Sequence, residues 1–174
     1  MKAGLNSCGS LPGDEPPAKS GGIDYGPLDR RLGYVLRRAQ IAVFRDFLAA
    51  FESQEIRPAQ YSILTVIERN PGLKQGEVSE ALGIKRANFV AMIDELEKRK
   101  LVRRDPARGD RRSYALVLTR SAKRLMKELH SVGEQHEKRI ADSLGQEAYR
   151  SLFPLLRKLA EIGSDENRAD LQTE

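Results

Sequence analysis

The chain has 174 residues, 40% of them hydrophobic and 32% charged, with a formal net charge of +5. That suffices for one domain with its own core, is short for two, and is ordinary for a soluble, helix-rich protein. No apolar run approaches the roughly 18–20 residues of a bilayer span, the first residues lack the apolar stretch of a secretory signal, and the single cysteine, Cys8, allows no internal disulfide, so a reducing, cytoplasmic setting is expected.

Residues 1–27 hold many of the glycines and prolines and almost no periodic apolar residues, which reads as a disordered arm. Then Leu32, Leu36, Ala39, Val43, Phe47 and Phe51 recur at helical spacing and predict a long first helix over 28–53. Pro58 is placed to open a second helix over 59–69, and Asn70-Pro71-Gly72 stops it. A short third helix over 75–82 ends at Gly83. A fourth, over 86–100, buries a stripe of Phe89, Met92, Ile93 and Leu96. Residues 101–104 and 113–118 read as strands around a loop over 105–110 containing Pro106 and Gly109. Thr119 caps a fifth helix reaching 144. Gly145 separates a last helix over 146–162, in which Pro154 predicts a kink or local break. Residues 164–174 form an acidic tail.

The order is mainly α with one small β-hairpin. Two helices joined by a tight turn at Gly83 and followed by a basic hairpin predict a winged helix-turn-helix over 56–119. The long flanking helices, 28–53 and 120–163, exceed what such a core needs, and their apolar stripes suit pairing with a second copy of the chain.

Charge is concentrated where this reading wants it. Between residues 85 and 112 stand ten basic and five acidic residues, a local surplus of +5 that equals the whole chain's. Such a patch is the footprint of a polyanion partner or else a solvated basic face, and charge alone leaves both open. At the start of the fourth helix, Arg86 can grip guanine O6 and N7, and Asn88 adenine N6 and N7. Val90 and Ala91, one turn further on, either touch thymine methyls or are merely tolerated there. Lys85 and Lys74 occupy helix-capping positions, where a missing cap costs about 1 kcal/mol. A DNA phosphate at either helix end offsets that cost. In the hairpin, Arg108, Arg111 and Arg112 cluster at a turn, the arrangement a narrow minor groove attracts.

The segments GEVSEALGI, IDELEKRKLVRR and DPARGDRRSYALVLT carry a resemblance to the MarR family of bacterial transcriptional regulators, which covers residues 28–163. The resemblance implies a symmetric homodimer in which first and last helices interlock and each subunit offers a recognition helix and a wing. By the family pattern Arg112 enters the minor groove, held by Asp110. It also implies release by a small aromatic or lipophilic acid or its thioester, bound between the dimer helices and the DNA-binding lobe. The segment LGYVLRRAQIAVFRDF is similar to the branch that senses hydroxycinnamoyl-CoA thioesters, in which Arg37 and Arg38 meet CoA phosphates while Tyr34, Phe44 and Tyr61 line the acyl pocket. Residue type alone favours the core for Tyr34 and Phe44, and solvent or a dimer contact for the two arginines.

Cys8 lies too far upstream for peroxide sensing through the first helix. His130 and His136, six residues apart, cannot share a metal and read as surface residues. No cofactor is expected. The expected function is a ligand-responsive repressor of double-stranded DNA operators. The alternative is an architectural DNA-coating protein without an effector, which salt titration separates from it. An enzyme is disfavoured because no nucleophile–base set, phosphate-binding glycine loop or metal cluster is written in the chain.

Overall fold

A computed structural model describes residues 23–107 and 110–162, with Ala107 and residues 110–113 given by backbone alone. The chain divides into two units, residues 1–42 and 43–174. The arm over 1–22 with Cys8, the hairpin tip at Arg108 and Gly109, and the acidic tail lie outside the described residues.

In the first unit, Gly26–Arg30 is a 3-10 helix with Pro27 in its first turn, and the Gly26 amide donates to Asp24 Oδ1 at 2.8 Å. Arg31 is extended, so the first α-helix, α1 (Leu32–Ala50), begins four residues later than the periodicity predicts. The tyrosine rings of Tyr25 and Tyr34 lie 5.9 Å apart. Leu32 and Leu36 of the predicted stripe are exposed, as are Val35 and Ile41 beside them.

The second unit holds the core. The end of α1 buries Phe47 and stacks it on Phe51 at 3.9 Å between ring centres. A 3-10 turn, Glu52–Gln54, and Glu55 then reverse the chain into α2 (Pro58–Arg69). Proline suits the first turn of α2, and the Gln60 side chain accepts the Arg57 amide at 3.0 Å. One face of α2 buries Ile63, Leu64 and Ile67, each worth about 2 kcal/mol of transfer free energy. Next, α3 (Gln75–Ala81) and α4 (Arg86–Lys98) meet across Gly83, whose φ of 60° is easy only for glycine. Phe89, Ile93 and Leu96 of α4 are fully buried.

Two strands follow, β1 (Val102–Ala107) and β2 (Asp110–Leu118), antiparallel with Val102 opposite Leu118 and Pro106 opposite Tyr114. The hairpin is therefore longer than expected, because 105–107 and 110–112 are strand and not loop. Pro106 is tolerated because a two-stranded ribbon leaves one side of each strand unpaired. Leu73 and Gly72 bond to Leu116 across the base of the ribbon, beside a bridge between Lys74 and Ala115. Thr119 caps α5 (Arg120–Leu144) as expected, its Oγ1 accepting the Ala122 amide at 3.1 Å. After Gly145, α6 (Gln146–Glu161) runs through Pro154 without the expected break. Only one backbone donor is lost there, and α6 is exposed along most of its length, so water can serve the freed carbonyl.

The end of α4 generates a test. The Lys100 amide bonds to Glu97 O at 2.8 Å and the Leu101 amide to Leu96 O at 2.9 Å, a complete Schellman motif. Its left-handed residue is Lys100, at φ 59°, where glycine is usual. Lys100→Gly should therefore raise the unfolding free energy by about 1 kcal/mol in urea titration.

Candidate nucleic-acid interface

The buried side of α4 dictates what its other side presents. With Phe89, Ile93 and Leu96 inward, Arg86, Ala87, Asn88, Val90 and Ala91 are exposed at the start of the helix. Lys85, the N-cap residue, supplies no side-chain cap, so the first amides of α4 have no partner from that side chain. The start of α3 differs. There Glu77 accepts the Lys74 amide at 2.6 Å, so the capping cost expected at Lys74 is partly met within the chain. Arg86 Nη2 lies 3.8 Å from where a Cβ on Gly76 would stand, so this guanidinium leans over the first turn of α3.

The basic segment is less free than its count suggests. Arg103 is bidentate to Asp105 at 2.6 and 2.7 Å. Arg104 is mostly buried and bonds Asp94 at 2.6 Å, Glu97 by a short contact, and Gln75 at 3.2 Å. It thereby ties β1 to α4 and α3. Asp94 and Glu97 lie three apart on one helix face, so one guanidinium can reach both and offset their mutual repulsion. Arg99 donates to two backbone carbonyls, Glu55 O at 2.7 Å and Gln54 O at 2.9 Å. Arg104 and Arg99 thus tie separate elements together, whereas Arg103 makes a local, exposed pair within β1. Lys85, Arg86 and Asn88 remain outward, while the Arg108, Asp110, Arg111 and Arg112 side chains lie outside the described residues.

The residues expected to hold a ligand fall in both units. In the first, Arg38 Nη1 donates to the Tyr34 hydroxyl at 3.3 Å and Arg37 is exposed. In the second, Phe44 is 44% exposed, which corrects its expected place in the core: Phe47 and Phe51 take the inward positions of that stripe. Tyr61 is half-buried, with its ring 5.3 Å from Phe51 and its hydroxyl 3.3 Å from His130 Nδ1. His130 Nε2 in turn lies 2.7 Å from Glu68 Oε2. Burial is the main cause that pushes the Tyr61 hydroxyl pKa above its ordinary value.

Tyr61 and His130 line a cavity of about 480 Å³ together with Glu134, Glu137, Lys138 and Tyr149. The Tyr149 hydroxyl donates to Glu137 Oε2 at 2.6 Å, which pushes its pKa up to about 12. Gly133 matters here, because a Cβ at that position would stand 3.0 Å from the Tyr61 oxygen.

His136 is only 4% exposed, with Nδ1 2.5 Å from Asp46 Oδ2 and its ring edge-on to Phe47. Neither histidine is a plain surface residue. Ala122, Met126, Leu129, Gly133 and His136 form one buried stripe of α5, and that periodicity was the available signal. Among the described residues no group of His, Cys, Asp or Glu could hold a metal ion, and no helix is long and apolar enough to cross a membrane.

A sequence profile described as MarR family matches residues 55–113. A Thauera aromatica protein named for transcriptional regulation of the hcr operon is 31% identical over 136 residues, 78% of this chain and 82% of that protein. Among solved structures, the transcriptional repressor CouR bound to a 23-mer DNA duplex is 39% identical with a TM-score of 0.76, covering 79% of this chain and 98% of the other. CouR bound to p-coumaroyl-CoA is 36% identical with a TM-score of 0.75, covering 79% and 97%.

The Asp46 cluster carries a pH test. Hydrogen bonds from Arg139 and then His136 hold the Asp46 carboxyl below its ordinary value of 3.8. A depressed carboxyl stabilises the fold above its unfolded pKa and stops doing so as pH falls through the folded one. Asp46→Asn should therefore be less stable than the parent at neutral pH, and the gap should close only below about pH 4. Urea titrations across that range check this.

Proposed function

The chain belongs to the MarR family and is a transcriptional regulator rather than an enzyme, and from that premise we propose that it is a cytoplasmic repressor that binds a pseudo-palindromic operator as a homodimer and is released by an aromatic acid or its CoA thioester. The observation that carries the DNA-reading part is α4, whose buried Phe89, Ile93 and Leu96 leave Arg86 and Asn88 outward at its first turn. Arg86 swings off α3 to read guanine and Asn88 reads adenine, while Val90 and Ala91 meet thymine methyls. Lys85 meets a phosphate at the helix end. Arg112 inserts in the minor groove with Asp110 orienting it, and Arg108 and Arg111 flank it.

Dimerisation is supported by apolar side chains that a lone chain leaves in water. They are Leu32, Val35 and Leu36 in the first unit, and Phe153, Leu155 and Leu156 on α6 in the second. With one reading helix per subunit, the half-sites should be centred about 10 bp apart.

The effector reading is supported by the Tyr61 cavity, which sets Tyr61 and Tyr149 beside Glu134, Glu137 and Lys138 in a space large enough for an aryl group. CouR, the relative that binds p-coumaroyl-CoA, makes that thioester the first compound to try. Tyr34 and Phe44 are further candidates for the acyl group, and Arg37 and Arg38 for its phosphates.

The test is to select duplexes from a random library, titrate them at rising salt, and then add p-coumaroyl-CoA or p-coumarate. A preferred palindrome should persist as salt rises, and one of the two compounds should release it. Loss of all sequences in parallel would favour an architectural coat protein. Asn88→Ala should relax the preference at one base position, worth about 1–3 kcal/mol of discrimination. Arg112→Ala should weaken binding to every sequence. Equal loss on selected and random DNA for Asn88→Ala removes its assignment as a reader.

A further inference from the structure

We infer that Arg99 is a positioning residue for base reading: it sets the pose of α4 by clamping the far end of that helix to the turn that joins α1 to α2. The inference rests on the proposed role of α4. Arg99 is the C-cap residue of α4, at the opposite end from Arg86 and Asn88. Its two terminal nitrogens reach successive carbonyls, Gln54 O at 2.9 Å and Glu55 O at 2.7 Å. A planar guanidinium can make both bonds at once, and the charge strengthens each. Lysine can hold one well.

The clamped turn is anchored at its ends by buried Phe51 and Ile56, but its middle carries two unfavourable features. Glu55 stands at φ 51°, ψ 40°, a left-handed conformation that costs a non-glycine residue free energy. Gln54 Oε1 is buried and has no hydrogen-bond partner among the described residues. A strained residue and an unsatisfied amide oxygen persist in adjacent positions only when something outside the turn compensates. Arg99 bonds to both of those residues.

Leverage makes the clamp matter for function. The 13 residues of α4 span roughly 20 Å at 1.5 Å per residue. A tilt of about 5° at the clamped end moves the reading end by roughly 1.5 Å, enough to break a base-edge hydrogen bond. The same turn starts at Phe51, whose ring packs on Tyr61 at the cavity wall. The cavity thus reaches the reading helix through Tyr61, Phe51, the turn and Arg99.

The experiment compares the parent with Arg99→Gln and Arg99→Lys. It uses the duplex that the parent selects from a random library and a random duplex of equal length. Arg99→Gln should bind the selected duplex about tenfold more weakly and the random duplex within about twofold of the parent, with Arg99→Lys in between. A merely structural arginine would lower the melting temperature and both affinities in parallel, which overturns the proposal, as does unchanged discrimination. If Arg99→Gln fails to fold, Arg99→Lys decides on the same readout. A parent protein without sequence preference refutes base reading by α4 and this inference with it. In a second arm, p-coumaroyl-CoA should release Arg99→Gln from DNA by a smaller factor than it releases the parent. Equal release overturns the link to the cavity. No release of the parent refutes the thioester as effector and leaves the pose to the first arm.

Discussion

Everything exposed on α4 depends on what α4 buries. Phe89, Ile93 and Leu96 enter a core built from α2, α5 and β2, where Ile63, Leu116 and Met126 are also fully buried. Losing any one of these large side chains would cost several kcal/mol, more than the few tenths that solvent-exposed pairs contribute. Apolar packing therefore holds α4 against the core, and polar groups at its flank and end set its tilt there. Arg104 works on one flank through Asp94 and Glu97, and Arg99 works at the end through two carbonyls.

That division changes what the local positive charge means. The surplus between residues 85 and 112 read either as a polyanion-binding patch or as a solvated basic face. Arg103 and Arg104 are spent on carboxylates nearby, and Arg99 on backbone oxygen. Those pairs leave the local net charge as it is, since the acids are already counted in it, but they fix which cations stand outward.

Much of this was legible in the chain because local signals agreed with the fold. Pro58, Gly83, Thr119 and Gly145 mark boundaries that the structure keeps, each for a stated backbone reason. The exposure of Arg86, Ala87, Asn88, Val90 and Ala91 followed from the period of Phe89, Ile93 and Leu96. Three things were not legible. The apolar stripe of α1 reads the same whether it meets its own core or another surface, so Phe44 was misplaced. The strands around Pro106 were cut short because turn residues are ambiguous within a two-stranded ribbon. The partners of His130 and His136 were hidden, although the α5 stripe signals burial at His136, because Glu68 and Asp46 are more than sixty residues away in sequence. Long-range pairing leaves no local trace.

Gly133 also constrains how this protein can diverge. A glycine inside a helix forgoes about 1 kcal/mol relative to alanine, and here it leaves room for the Tyr61 hydroxyl. The two positions are therefore coupled in evolutionary order. Trimming Tyr61 first opens space that a larger residue at 133 can later occupy, whereas a side chain added at 133 first sets its Cβ 3.0 Å from the phenol oxygen, which then has to give by a few tenths of an ångström. Lineages that retune this cavity are therefore expected to shift or shorten the tyrosine before they enlarge residue 133.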